Sequence, residues 1–237
     1  MSTSIRINKY LSQFGICSKR AADRMILDGE VLVNGQLAKV GQLVSDIDQV
    51  WVNGQLIDSR PEPIYLLYHK PVGVVCTNDQ AVSGNLVDAL NYSQRVFVVG
   101  RLDKASEGLL LLTNDGVIFN QILRAENAHQ KTYSVRVNKQ ITEAFLNEMA
   151  SGVSILDTVT LPCQVTKIDA FTFQIVLTQG LNLQIRRMCQ ALEYRVVRLQ
   201  RTQIMNLHLY GLLPNQYRKL NESEKGELFD LLSKSSV

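Results

Sequence analysis

The part of this sequence best suited to chemistry is a carboxylate at the end of a strand. Residues 96–99 are apolar and read as a strand, and Arg101 and Asp103 follow in the run 100–116. Side chains two residues apart in extended backbone share a face, so the base and the acid would emerge together. An apolar stretch at 109–112 and the turn signal Asn-Asp-Gly complete the run. The pattern predicts a carboxylate on a rigid support. A solvated surface aspartate is the alternative, which a lone Arg-Leu-Asp triplet would favour.

Four further segments carry residue types that could complete a site. Lys-Pro-Val-Gly at 70–73 follows a strand and would by itself be only a turn. Lys131-Thr132-Tyr133 opens another strand. Residues 179–188, Gln-Gly-Leu-Asn-Leu-Gln-Ile-Arg-Arg-Met, lead through a glycine-containing turn into a helix that we expect Asn182 to cap. Leu-Gln-Arg-Thr-Gln-Ile follows at 199–204.

These segments, in this order, resemble the RsuA-type family of ribosomal RNA pseudouridine synthases. The resemblance implies an isomerase that converts a specific uridine of 23S ribosomal RNA, in a stem-loop, to pseudouridine after flipping the base. That reaction breaks the N1–C1′ bond and joins C5 to C1′, so the resemblance implies no cofactor and no metal. The lack of a Rossmann fingerprint, a P-loop or metal-ligand spacing in the sequence agrees with this expectation.

The resemblance also gives roles to particular residues. Asp103 is the implied catalytic carboxylate, Tyr133 the aromatic platform for the flipped base, and Arg186 the ion-pair partner of Asp103. A core tyrosine on a strand face is the alternative for Tyr133, and a structural ion pair is an open alternative for the nearby cations. The implied RNA contacts of this region are Arg101, Lys131 and Arg187. Leucine stands at 183 where the family often has arginine, so a contact made by that arginine would be missing.

A smaller unit precedes this one. Residues 6–14 and the segment from Ser18 to Gly29 have the apolar spacing of two short helices, and two Asn-Gly hairpin signals follow. The order resembles an S4 RNA-binding domain, in which the two helices present cations to the RNA backbone. Solubilising surface charge is the alternative for each of them. The implied RNA contacts here are Arg6, Lys9, Lys19, Arg20 and Arg24.

The segments indicate two domains of α+β class. We expect an S4 domain at 4–58, a linker with two prolines at 59–63, and a catalytic domain at 64–237. Strand-like and helical segments of the second domain do not alternate strictly, which favours a mixed, largely antiparallel sheet flanked by helices.

Bulk properties set the remaining expectations. The 25 basic and 22 acidic residues give a net charge of only +3, so charge alone does not indicate nucleic acid. Residues 1–25 and 182–201 each hold five basic side chains against one acidic, however, and predict two local anion-binding surfaces. Four scattered cysteines favour reduced thiols, and neither a signal peptide nor a membrane span is visible. We therefore expect a cytoplasmic protein with no membrane association. The resemblance implies RNA as its partner, and we expect a monomer.

Two other functions remain open from the sequence. A non-enzymatic RNA-binding or ribosome-assembly factor could keep the fold without turnover, although the set of Asp103, Tyr133 and Arg186 argues against it. A methyltransferase would need a glycine-rich donor site, which the sequence lacks. The identity of the uridine, transfer RNA as an additional substrate, and the atom that the aspartate attacks also stay open.

Overall fold

The computed structural model of the protein describes residues 4–59, 61–123 and 128–234. Contacts divide the chain into two units. The first runs to Pro63 and includes Asn114–Gly116, and the second comprises Ile64–Thr113 and the chain from Val117 onward. Arg60 of the predicted linker and the end of the helix predicted at 117–125 lie outside the described residues.

The first unit packs two helices against short antiparallel strands. Its elements are β1 (Ile5–Arg6), α1 (Ile7–Gln13), α2 (Lys19–Leu27), β2 (Val31–Val33), β3 (Gln36–Leu37), β4 (Leu43–Val44), β5 (Val50–Val52) and β6 (Gln55–Leu56). One sheet has the order β3-β2-β5-β6, and β1 pairs with β4. Apolar residues of both helices and of β2 and β5 are buried together in a single core.

Local sequence signals explain this unit closely. The Ser18 side chain accepts a hydrogen bond from the Ala21 amide at 3.1 Å and so caps α2 as expected. Both predicted hairpins form. Their Asn-Gly pairs at 34–35 and 53–54 have positive φ, which the tight turn between twisted strands requires.

The second unit is larger. Its elements are β7 (Tyr65–Lys70), α3 (Leu86–Leu90), β8 (Phe97–Val99), β9 (Glu107–Thr113), α4 (Gly116–Leu123), β10 (Lys131–Val137), α5 (Glu143–Ser151), β11 (Ser154–Ile155), β12 (Thr158–Val159), β13 (Gln164–Lys167), β14 (Thr172–Leu177), α6 (Gln184–Ala191), β15 (Val196–Ile204), β16 (Leu207–His208), β17 (Tyr217–Lys219) and α7 (Glu222–Lys234). The strands predicted at 96–99 and from Lys131, and the helix predicted after the turn at 179–182, are present as β8, β10 and α6.

The main sheet has the order β13-β14-β10-β15-β9-β7-β17, with β8 paired to β9 and β16 to β15. Among the described strands, β9 and β15 form the one parallel pair of this sheet, and they pair only at Gln200↔Glu107 and Arg201↔Gly108. The prediction of an α+β fold with a mixed, largely antiparallel sheet is confirmed. Asn221 and Glu224 form a capping box at the start of α7, where each side chain accepts a hydrogen bond from the other residue's amide.

The neighbouring strands β7 and β9 are buried on both faces. In β9, Leu109 and Leu111 belong to one core and Leu110 and Leu112 to another on the opposite face. A continuous apolar run is the expected sequence of a strand covered on both sides. This two-sided burial makes β9 a rigid support for the loop at 100–106, which connects it to β8.

Gly108 sets how closely β9 and β15 approach. Its φ is +111°, and an ideal Cβ there would lie 2.3 Å from the carbonyl oxygen and 2.6 Å from the amide nitrogen of Arg201. Real Cβ atoms do not come this near to backbone, so only glycine fits.

In the described part of the chain, no helix is long and apolar enough to cross a membrane.

Replacing Gly108 with alanine should lower the free energy of unfolding by about 3 kcal/mol, because the backbone of Arg201 must move away. Urea denaturation measures this difference. The matched control is Gly226→Ala within α7, where an added Cβ meets nothing within 4 Å. The free energy of unfolding of that variant should rise by up to about 1 kcal/mol. Equal stability of Gly108→Ala and the wild type would contradict the close approach.

Candidate active site

Five of the predicted site residues border one cleft in the second unit. The cleft has a volume of about 840 Å³ and is lined from β8, β10, α4, α6 and the loops between them. The residues brought together are Arg101, Asp103, Lys131, Tyr133 and Arg186. The sequence pattern therefore located side chains that are distant along the chain and close in space.

The loop that carries Asp103 is held through its backbone. The Asp103 carbonyl accepts from the Ser106 amide at 3.0 Å, and the Lys104 carbonyl accepts from the Gly73 amide at 2.8 Å. The Asp103 side chain itself is exposed. The turn thus fixes the backbone and leaves the carboxylate facing the cleft.

A buried arginine joins the start of this loop to strand β9. Arg201 is 1% exposed, and its Nε donates to the Leu109 carbonyl and its Nη2 to the Gly100 carbonyl, each at 2.7 Å. A guanidinium out of water is tolerated only when its donors are satisfied. The sequence grouped Arg201 with a basic surface, and that prediction was wrong. Its partners are backbone carbonyls, which leave no pattern in the sequence.

Lys70 also contacts the backbone of this loop. It is fully buried, and its Nζ donates to the Pro71 carbonyl at 2.9 Å and more weakly to the Lys104 carbonyl at 3.5 Å. Burial lowers the pKa of Lys70, while the acidic groups of Cys76, Asp103 and Glu107 act in the opposite direction. The Lys-Pro-Val-Gly segment therefore positions the loop and is more than a turn.

Arg186 also contacts the loop, but not in the expected way. Its Nη2 donates to the Ala105 carbonyl at 2.9 Å and to the Ser106 hydroxyl at 3.2 Å. Within the described residues, Arg186 and Asp103 form no ion pair, so the prediction of a direct pair was wrong for this structure. Arg186 Nε is buried without a partner there. Arg186 therefore binds the turn that follows the carboxylate.

The second basic cluster is not a uniform surface. Arg187 does not line the cleft, because its Nε and Nη2 donate to the carbonyl and side-chain oxygens of Asn182, each at 3.1 Å. Arg198 pairs with Glu107 beside the parallel strand pair. Arg187 and Arg201 thus bind backbone carbonyls, and Arg198 binds a carboxylate.

The start of α6 differs from the prediction. Leu183, not Asn182, is the N-cap residue, with φ 50° and ψ 30° and no side-chain cap. A leucine in the left-handed region costs about 1 kcal/mol that glycine would not incur. Asn182 is instead engaged by Arg187, which explains why its side chain does not cap the helix.

Tyr133 and Lys131 also line the cleft. Both lie in β10 and are half-buried, and the pairing of β10 with β15 is irregular between Thr132 and Tyr133. Lys131 Nζ donates to the His129 carbonyl at 3.0 Å. Burial, and secondarily the positive charge of Arg201, lower the pKa of Lys131 to about 8. Burial and the charge of Lys131 also lower the pKa of His129.

The five cations predicted for the first unit are all exposed. They lie at or within the two helices α1 and α2, and within the described residues they form no ion pair. The nearby carboxylate of Asp23 instead accepts from the Asn8 side chain at 2.9 Å. These cations are Arg6, Lys9, Lys19, Arg20 and Arg24.

Taken together, the cleft offers a rigidly held carboxylate, an aromatic ring and several cations. This set suits covalent or acid–base chemistry on a flat, anionic ligand such as a nucleotide. Among the described residues, no group of three His, Cys, Asp or Glu side chains could hold a metal ion. The cleft thus brings together the side-chain types that such chemistry needs.

Comparison with known proteins identifies the class. A family model described as RNA pseudouridylate synthase matches residues 64–191, and an S4 domain model matches residues 5–50. The chain therefore belongs to the RNA pseudouridylate synthase family and carries an S4 domain. This confirms the family, the S4-containing fold and the enzyme class that the sequence predicted.

Individual relatives cover nearly the whole chain. It is 49% identical to the dual-specificity RNA pseudouridine synthase RluF of Escherichia coli K12, over 99% of this chain and 81% of that protein. It is 32% identical to the ribosomal large subunit pseudouridine synthase B of Bacillus subtilis, over 92% of this chain and 93% of that protein. A crystal structure of a pseudouridylate synthase superposes with a TM-score of 0.71 at 28% identity, covering 95% of this chain and 100% of the other.

The lowered pKa of Lys131 predicts a particular pH dependence of stability. Between pH 8 and the ordinary value of 10.5, the unfolded chain holds a proton on Lys131 that the folded chain has lost. Folding stability should therefore rise with pH across this window. The free energy of unfolding of the wild type should rise by about 2 kcal/mol between pH 7 and pH 10, relative to that of Lys131→Met. Urea denaturation at both pH values measures the difference, and parallel profiles would contradict the burial of this ammonium group.

Proposed function

We propose that this protein converts a specific uridine of 23S ribosomal RNA into pseudouridine, with Asp103 as the catalytic carboxylate. The observation that carries the proposal is the Asp103 loop, whose carbonyls are bound by Arg201, Arg186 and Lys70 while the carboxylate stays exposed in the cleft. A reactive group held in one geometry removes much of the entropic cost of reaching the transition state.

The reaction needs few groups. The N1–C1′ bond of the uridine breaks, the base rotates, C5 bonds to C1′, and the C5 proton is released while N1 gains a proton. An ionised carboxylate can attack C1′, attack C6, or promote elimination, and in each case it assists departure of the base without an external group donor. Membership of the pseudouridylate synthase family supports this chemistry.

The target base must first leave its stack, which costs a few kcal/mol. We assign Tyr133 to the recovery of part of this cost, since stacking on an aromatic ring returns roughly 1–3 kcal/mol per base. Its half-buried position on β10, in the wall of the cleft, supports the assignment. Arg101 and Lys131 border the same cleft and are assigned to the phosphates of the flipped nucleotide. Arg187 is assigned only an indirect role, through Asn182.

In this proposal Arg186 acts on Asp103 through the loop. Its guanidinium holds the Ala105 carbonyl and the Ser106 hydroxyl, two and three residues after the carboxylate. It is a positioning residue in the free protein, and its positive charge also lowers the cost of bringing a phosphate to the cleft.

Relatives named for RNA and for the large ribosomal subunit support 23S ribosomal RNA as the substrate. One of them is called dual-specificity, which gives a reason to test transfer RNA as well. With ribosomal RNA as substrate the protein would act in the cytoplasm. A single copy of the chain is the active form in this proposal.

The S4 domain is assigned to docking on the RNA backbone. Its five exposed cations lie at or within α1 and α2, a layout that suits phosphate contacts. Contacts of this kind give affinity and salt dependence but little sequence information. Selection of the uridine therefore falls mainly to the cleft.

Asp103→Asn should abolish catalysis without loss of the fold, because the amide removes the negative charge and leaves the backbone contacts of the loop intact. Tritium release from a [5-³H]uridine-labelled 23S transcript should fall at least about 100-fold. The control is Asp230→Asn, an exposed carboxylate on α7 away from the cleft. Full tritium release by Asp103→Asn would overturn the assignment.

The same experiment separates the alternatives. A non-enzymatic assembly factor predicts no tritium release by the wild type. A methyltransferase predicts a gain in mass of the RNA, whereas pseudouridine has the same mass as uridine.

Lys19→Gln should weaken binding to all RNA sequences alike and reduce the salt slope of log K by about 1, since one phosphate contact is lost. Filter binding at several salt concentrations measures the slope. Lys39→Gln removes the same charge from an exposed site of the same unit outside the two helices, and should leave the slope unchanged. Equal slopes for Lys19→Gln and the wild type would remove Lys19 from the interface.

A further inference from the structure

Three leucines that line the cleft are exposed. Leu123 is 40% exposed, Leu161 53% and Leu183 37%. Large apolar side chains exposed singly are ordinary on protein surfaces, but a group of them around one cleft marks a binding contact. The cleft therefore combines cations with an apolar border.

The backbone of Leu183 is strained at the border of the cleft. Leu183 has φ 50°, and it caps α6 without any side-chain hydrogen bond. Glycine or asparagine would adopt this conformation with less strain and serve as well in a turn. Strain held beside an active site is a reason to look for a function of the strained residue.

Hydrogen bonds tie the segments of Leu161 and Leu183 together. The Gln179 side-chain oxygen accepts from the Leu161 amide at 3.2 Å and from the Gln184 side-chain nitrogen at 3.3 Å. Gln184 is buried, and its side-chain oxygen accepts from the Leu181 amide at 3.0 Å. The apolar border is thus formed in the free protein and does not depend on a ligand to organise it.

We propose that Leu183, with Leu161 beside it, is an apolar wedge that contacts the bases flanking the flipped uridine. This inference rests on the proposed function. Extrusion of a base leaves the faces of its two neighbours open to water, and apolar side chains inserted at such a step cover them. A rigid leucine offers that contact without the entropy loss of ordering a flexible chain.

The wedge assists extrusion, so its effect depends on whether the uridine starts within a stack. The first step is to find which uridine of a labelled 23S transcript the wild-type protein modifies. Two probes are then made, a hairpin containing that uridine in its stem-loop and the same strand without its complement. Leu183→Gly should lower kcat/KM about 10-fold on the hairpin and less than about twofold on the single strand.

Leu156→Gly is a matched control. Leu156 also has a positive φ, of 49°, and is 47% exposed, but it does not line the cleft. This variant should match the wild type on both probes, and thermal melting should show both variants folded. Equal losses for Leu183→Gly on both probes, or no loss on either, would overturn the wedge while leaving the proposed function intact. A wild type inactive on the full transcript would overturn both.

Discussion

The buried guanidinium of Arg201, bound to strand β9, is the interaction on which the geometry of the cleft depends. Arg201 binds the carbonyl of Leu109 in that strand and the carbonyl of Gly100 at the start of the Asp103 loop. Its position requires β9 and β15 to approach closely, which only glycine at 108 permits. One cation therefore joins the centre of the sheet to the loop that carries the carboxylate.

Cationic side chains position the rest of the Asp103 loop by donating to its backbone carbonyls. Arg201, Lys70 and Arg186 bind the carbonyls of residues 100, 104 and 105 in turn. None of the three, within the described residues, forms an ion pair with Asp103. The carboxylate is thus positioned by the backbone of its own loop, with its oxygens available to a substrate. Preorganisation of this kind reduces the rearrangement needed in the transition state.

Local patterns predicted the fold well because the forces that create them are local. Asn-Gly pairs require left-handed backbone, and the run 109–112 requires apolar cover on both faces. The residues around the cleft were found from the order of motifs. What sequence could not supply was burial: Arg201 reads as surface charge because its partners are carbonyls. The prediction of a direct Arg186–Asp103 ion pair was wrong for the same reason, because Arg186 binds a backbone acceptor, the Ala105 carbonyl.

The most direct test of this account is the single-turnover rate of Arg201→Lys on the labelled 23S transcript, in protein shown by melting to be folded. Lysine keeps the charge but lacks the planar fork that reaches two carbonyls. We predict a rate about 100-fold below the wild type, as expected for a displaced reactive group, with RNA affinity within about twofold. A single-turnover rate equal to that of the wild type would contradict the claim that this arginine holds the Asp103 loop in the geometry needed for the proposed reaction.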